Sequence, residues 1–151
     1  MMLIESVYDK LLELYDIYNP RGWLWLVSYS GGKDSTALLL LTLRFARENV
    51  LKSASSTMTV GEIYGDPALA FRVLDFIRRH SSLRDIVGEV YITKPERSFF
   101  DYILTRYSPP RWNFRWCCKR LKEYPFKKLV RDLMKSRKVL NLVGNRVEEA
   151  R

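Results

Sequence analysis

Residues 28–35 read Ser-Tyr-Ser-Gly-Gly-Lys-Asp-Ser and lie between the apolar runs Trp-Leu-Trp-Leu-Val and Thr-Ala-Leu-Leu-Leu-Leu. Paired glycines let a backbone approach an anion closely, and the free N–H groups that open a following helix point at it with the positive end of the dipole. Ser28, Ser30 and Ser35 add hydroxyls, and Lys33 adds a cation. This is the pattern of a phosphate cradle, with one discordant residue, the carboxylate of Asp34. Two familiar phosphate motifs do not account for it. A Walker A loop needs a glycine five residues before its Gly-Lys pair and Ser or Thr after it, and Val27 and Asp34 occupy those positions. The dinucleotide fingerprint needs spaced glycines, whereas Gly31 and Gly32 are adjacent and no third follows.

A second group of chemistry-bearing residues falls between 106 and 128. Arg106, Arg111, Arg115, Lys119, Arg120, Lys122, Lys127 and Lys128 stand there against a single acid, Glu123, interleaved with Tyr107, Trp112, Phe114, Trp116 and Tyr124. Arginine offers bidentate geometry to phosphate or sulfate, and such a segment would bind a polyanion with an affinity that falls steeply with salt. The plainer alternative is a solvated basic face whose aromatics serve packing. Cys117 and Cys118 are the only cysteines. Adjacent cysteines rarely pair because the bond strains the intervening peptide, so two thiols in a reducing compartment are expected. The surrounding cations are expected to lower a thiol pKa and make one sulfur nucleophilic, with two inert buried thiols as the alternative. His80, the single histidine, lies near a helix end and reads as a polar cap rather than a base.

The elements that must position these residues follow from periodicity. Leu3, Val7, Leu11, Leu12 and Tyr15 recur at helical steps over residues 3–18, and Asn19-Pro20-Arg21-Gly22 stops that helix. Residues 23–27 form a continuous apolar run, as in a strand buried on both faces of a parallel sheet. A helix over 36–46 follows. Further strands are expected over 56–64, 86–93 and 138–143, and helices over 67–79, 96–107 and 123–135, with an irregular stretch at 108–120. Strands alternating with helices specify an α/β fold, a doubly wound and mainly parallel sheet with helices on both faces and right-handed crossovers. Ligands of such sheets bind at the carboxyl ends of the strands, where the 28–35 loop falls.

With 151 residues the chain suits a single domain, 1–151. Lys and Arg number 26 against 17 Asp and Glu, a net charge of +9, which favours an anionic partner. Glu5, Asp9, Glu13 and Asp16 interrupt the N-terminal apolar residues, so that segment does not read as a signal peptide. No apolar run reaches the roughly 18 residues needed to span a bilayer. A cytoplasmic protein without membrane contact is the expectation.

The Ser-Gly-Gly-Lys-Asp-Ser segment resembles the S-G-G-x-D-S signature of the PP-loop ATP pyrophosphatases, the adenine nucleotide alpha hydrolase-like superfamily. Three segments, in family order, are similar to one branch of it, the phosphoadenosine phosphosulfate (PAPS) reductase family and especially the DndC-type proteins of DNA phosphorothioation. Residues 23–37 look like that branch's first strand and loop. Arg-Trp-Cys-Cys-Lys-Arg-Leu-Lys at 115–122 resembles its R-W-C-(T/C)-x-x-L-K segment, and Gly-Asn-Arg-Val-Glu-Glu at 144–149 the start of its G-x-R-x-x-E-S-x-x-R segment. Gly65 and Asp66 match its G-D-T-G-x-E-x-P loop, from which Pro67, Ala68, Ala70 and Arg72 depart, as Ala150 departs from the last motif.

The resemblance implies a Rossmann-like PP-loop domain, shorter than the family, that binds ATP or a related adenine nucleotide. It implies cleavage of the α–β phosphate bond to AMP and pyrophosphate, or adenylylation of a substrate, in sulfur transfer. Ser28, Ser30, Gly31, Gly32, Lys33, Asp34, Ser35, Asp66, Gly144 and Arg146 would hold the nucleotide. Asp34, Lys33 and Arg146 would be catalytic, with Asp34 placing Mg2+ or the loop itself. Cys117 and Cys118 would carry sulfur or redox chemistry, and Arg115, Lys119, Arg120 and Lys122 would contact an anion or DNA. A [4Fe–4S] cluster needs about four thiolates, so it would require cysteines from another chain or a longer product. A homodimer, a sulfur-donor protein, and DNA or RNA are the further partners expected. Two alternatives accompany this reading: a PAPS or adenylyl-sulfate reductase, and a non-catalytic module binding a nucleotide or DNA.

Overall fold

The computed structural model describes residues 2–20, 22–49, 56–60 and 67–144. Along the chain these form α1 (Met2–Ile17), β1 (Trp23–Tyr29), α2 (Lys33–Asn49), β2 (Ser56–Val60), α3 (Pro67–Arg79), α4 (Ser81–Arg84), β3 (Val87–Ile92), α5 (Phe99–Thr105), a π-helical segment (Cys118–Glu123), α6 (Tyr124–Met134) and β4 (Lys138–Val143). The fold is mixed α/β. Its four strands make one sheet in the order β3-β2-β1-β4, and every pairing is parallel. Winding therefore runs outward from β1 through β2 to β3 and then returns to the opposite side of β1. The reversal falls between β1 and β4, which pair from Trp23↔Lys138 to Ser28↔Val143.

β1 is the centre of the core because it is covered on both faces. Side chains alternate across a strand, and Trp25, Val27 and Tyr29 enter one cluster with Leu11 of α1, Leu39, Leu43 and Phe45 of α2, and Leu74 and Ile77 of α3. Leu24 and Leu26 point the other way and are also buried. Aromatic contacts tie α1 and α2 to this cluster. Phe45 stacks on Trp25 with ring centroids 6.1 Å apart and meets Tyr8 and Tyr15 edge to face at 5.3 and 5.9 Å. The Trp25 indole N–H donates to the Tyr18 carbonyl at 2.7 Å, which anchors the end of α1 to the strand.

A smaller cluster lies apart in the chain segment 99–121. Trp116 is sandwiched between Phe99 (5.6 Å) and Tyr107 (4.8 Å) in near-parallel stacks, with Tyr102 and Leu121 buried beside it. Its indole N–H donates to Ser108 O at 2.9 Å. α5 enters this cluster through a capping box, in which Ser98 Oγ accepts from the Asp101 N–H and the Asp101 carboxylate accepts from the Ser98 N–H. The Ser98 hydroxyl, which donates to that carboxylate at 2.8 Å, and then the Ser98 N–H hold the Asp101 carboxyl below the usual carboxylate range.

Several expected boundaries are shifted in the folded chain. β1 runs two residues further than the apolar stretch, through Ser28 and Tyr29, and α2 begins at Lys33 rather than 36. α5 is shorter than the 96–107 helix expected, and α4 is an additional short turn of helix. The "irregular" 108–120 stretch contains a tight Arg111–Phe114 bridge and the start of the π-helical segment. A proline clashes with the carbonyl four residues before it in a regular helix. The wider π turn ahead of Pro125 gives its ring that room, and the Tyr124 N–H closes the π ring on the Lys119 carbonyl. Among the described residues no helix is long and apolar enough to cross a membrane.

Candidate functional site

The loop between β1 and α2 emerges at the carboxyl end of the central strand, beside the point where the winding reverses. Gly31 has φ of 80°, a conformation that costs a side-chain-bearing residue about 1–3 kcal/mol. That glycine turns the chain from strand into helix within two residues. Gly32, Lys33 and Asp34 are then exposed at the start of α2, the end of a helix that carries the positive pole of its dipole.

The serines divide into two roles. Ser35 is buried. Its hydroxyl donates to Gly32 O at 2.9 Å and accepts from the Ser30 N–H at 3.3 Å, with Ser30 Oγ 3.1 Å away. Thr36 reinforces the same carbonyl through both its N–H (2.9 Å) and its hydroxyl (2.8 Å). Ser28 donates to Asn141 Oδ1 of β4 at 2.9 Å. The hydroxyl protons of Ser28 and Ser35, expected to face an anion, are therefore committed to protein acceptors, and both side chains shape the loop. Ser30 is exposed at its surface.

Gly144 closes the loop from the other side. A Cβ added there would lie 2.9 Å from the Asp34 carbonyl oxygen and 3.3 Å from Ser35 Cα. The end of β4 thus passes directly over the first turn of α2, at a separation that only glycine permits. By contrast, a Cβ on Gly32 would meet Ser30 Oγ at 3.6 Å, an ordinary contact. The structure accordingly brings Ser30, Gly31, Gly32, Asp34, Ser35 and Gly144 together. Lys33 opens α2 beside them. Asp66 and Arg146 lie outside the described residues. The Tyr29 hydroxyl is buried and has no hydrogen-bond partner among the described residues.

Cys117, Cys118 and the basic residues belong to the aromatic cluster. Cys117 packs against it, half-buried, and Cys118 is exposed. For Cys118 the shift runs opposite to the one expected. Although Cys118 is exposed as a residue, partial burial of its thiol, followed by the adjacent Cys117 thiol, raises its pKa, and the opposing influence of Lys122 and Arg115 is smaller. Among the described residues no three His, Cys, Asp or Glu side chains gather as a metal site. His80 does act at a helix end: its Nδ1 lies 2.9 Å from the Phe76 carbonyl at the close of α3.

The basic residues frame a cleft of about 450 Å3 lined by Trp112, Asn113, Phe114, Arg115, Lys119 and Arg120 over the Tyr107–Trp116 stack. The Arg115 guanidinium sits 4.7 Å from the Trp112 ring centre, and Arg120 Nε donates to the Tyr107 hydroxyl at 3.2 Å. The spacing of aromatics in the sequence announced this mixture but not its division into a buried stack and an exposed rim. In comparisons with known proteins, no family model, no curated protein and no solved structure matches the chain.

Proposed function

We propose that this chain is a PP-loop protein of the PAPS reductase and DndC-like type, which binds ATP or a related adenine nucleotide on the 30–35 loop and breaks its α–β phosphate bond. The observation that carries the reading is the joint geometry of Gly31 and Gly144. One glycine turns the chain sharply after β1, the other lets β4 pass against Asp34 and Ser35, and the first turn of α2 opens between them. A cradle of this kind suits a pyrophosphate group. The reading includes a doubly wound, Rossmann-like sheet, supported by the reversal of strand order at β1 and β4 and by burial of both faces of β1.

In the proposed reaction an oxygen of water or of an acceptor substrate attacks the α-phosphorus. The bond to the bridging oxygen breaks, pyrophosphate departs with the electron pair, any proton on the attacking oxygen passes to solvent, and AMP or an adenylylated acceptor remains. The loop N–H groups and Lys33 stabilise the departing charge. Asp34 is the carboxylate suited to share Mg2+ with the phosphates, an ion that would neutralise their charge when bound. Arg146 and Asp66 retain the roles that the resemblance implies, and a cytoplasmic setting accords with two free thiols. The sulfate-reducing alternative is less well supported, because Cys117 and Cys118 are the only cysteines in the sequence. Two thiols do not complete a [4Fe–4S] cluster, so no cluster enters the reaction proposed for this chain.

The test is incubation with Mg2+ and ATP labelled at the α-phosphate, followed by resolution of the products. AMP with pyrophosphate, or an adenylylated acceptor, is the expected result, whereas no nucleotide binding or only ADP and phosphate would sink the reading. Gly31→Val should lower kcat/KM by about tenfold or more, since a β-branched residue strains the loop by about 1–3 kcal/mol.

A further inference from the structure

The cleft at Trp112 is independent of the nucleotide loop and has a chemistry of its own. Trp112 is 87% exposed, an unusual setting for the largest apolar side chain. It is not a loose side chain. Trp112 and Asn113 form the tip of a two-residue turn closed by Phe114 N–H to Arg111 O at 3.0 Å and Arg111 N–H to Phe114 O at 3.4 Å. Pro109 and Pro110 precede the turn and stiffen its approach, while behind it Trp116 is 4% exposed and stacked on Tyr107. A rigid floor therefore presents an aromatic face to solvent. Arg115 covers one side of the Trp112 ring at 4.7 Å, and the exposure leaves the other side open.

The charge around this face has one sign. Of the eight residues that line the cleft three are cationic, Arg115, Lys119 and Arg120, and none is acidic. None of these three is ion-paired to a carboxylate among the described residues. They contrast with Lys127 and Lys128, which face Glu123 and Glu96 at 3.0 and 3.9 Å. Arg111, also exposed, extends the positive stretch along the turn.

A flat π-face beside unpaired cations suits a ligand that is itself a flat ring joined to phosphates. An unpaired nucleotide base can stack on Trp112 while its backbone crosses the cations, and such stacking is worth roughly 1–3 kcal/mol per base. In a duplex the base faces are already occupied, and an indole on a surface turn cannot reach them. The positive stretch runs from Arg111 to Arg120, which suits several phosphates better than one. We propose that this cleft binds single-stranded nucleic acid, with Trp112 as the stacking platform and Arg115, Lys119 and Arg120 as the phosphate contacts.

Fluorescence anisotropy with an end-labelled 12-mer of oligodeoxythymidylate, its oligouridylate counterpart, the same length of abasic deoxyribose-phosphate, and a duplex tests this on the whole chain. At least one of the two unpaired oligomers should bind about tenfold more tightly than both the abasic strand and the duplex. Trp112→Ala should remove that preference and Trp112→Phe should retain most of it. Arg115→Gln should reduce the salt slope by roughly 0.7. Equal affinity for the abasic strand or the duplex, or a Trp112→Ala protein that binds as the parent does, would overturn the proposal. Because Trp112 is exposed, its replacement leaves the core intact, and an unchanged thermal transition verifies this. Gly31→Val should not alter the oligomer affinity, so failure of the nucleotide reading and failure of this one are separable.

Discussion

Leu26 and Trp116 are both nearly inaccessible to solvent, but they are held in place by different means. Leu26 sits on a strand paired on both sides, to Thr57 and to Asn141, and the segments that cover β1 come from across the chain. Trp116 is held by residues between 99 and 121, through ring stacking and one indole hydrogen bond. The sheet core buries many aliphatic residues against few aromatic ones. The satellite cluster buries three side chains and leaves Trp112, Phe114 and Tyr124 exposed around them. The first arrangement makes a fold and positions a loop at its edge. The second makes a surface, because Trp112, Phe114 and Tyr124 face outward beside it.

The comparison can be broken by substitution. Leu26→Ala should destabilise the whole chain by about 2–5 kcal/mol, the range for an aliphatic residue lost from a packed core, seen as a lower midpoint in denaturant for every spectroscopic probe. Trp116→Ala removes a larger side chain but should act locally. Hydrogen exchange should quicken in residues 99–121 while the β1 amides stay protected. If β1 exchanges faster as well, the two clusters form one cooperative unit and the distinction fails. The smallest effect concerns Cys118. With its pKa raised by burial and by Cys117, it carries less thiolate at pH 7 than a free cysteine. Alkylation mapped by mass spectrometry should therefore be slower than for a free thiol at that pH and should quicken as the pH rises. A faster reaction would show that Arg115 and Lys122 govern this thiol after all.

How much of this was legible in the sequence follows the same division. β4 and α3 have the bounds that periodicity predicts, and β1 begins where its apolar run begins, because burial on regular elements is written as residue type at fixed spacing. The position of the Gly31-Gly32 loop was legible for that reason. The commitment of Ser35 to Gly32 and of Ser28 to Asn141 was not, since a hydroxyl in a sequence does not reveal which acceptor it finds. Nor was the π-helical widening before Pro125, where a proline ordinarily signals only a helix start. The exposed Trp112 was indistinguishable from the buried Trp116, because both lie in the same run of rings and arginines and a tight turn separates their fates.

The close passage of Gly144 over Asp34 has a kinetic consequence. It joins segments that are far apart in the chain, as does the nearby bond between Ser28 and Asn141, which spans 113 residues. Closing so long a loop carries an entropic cost that only the finished sheet offsets. The glycine loop can be present in a partly folded chain, yet its wall is not there until β4 has docked on β1. A collapsed intermediate with three strands paired would contain every residue of the 28–35 stretch and still lack a formed site, so the capacity to hold an anion should appear among the last events of folding.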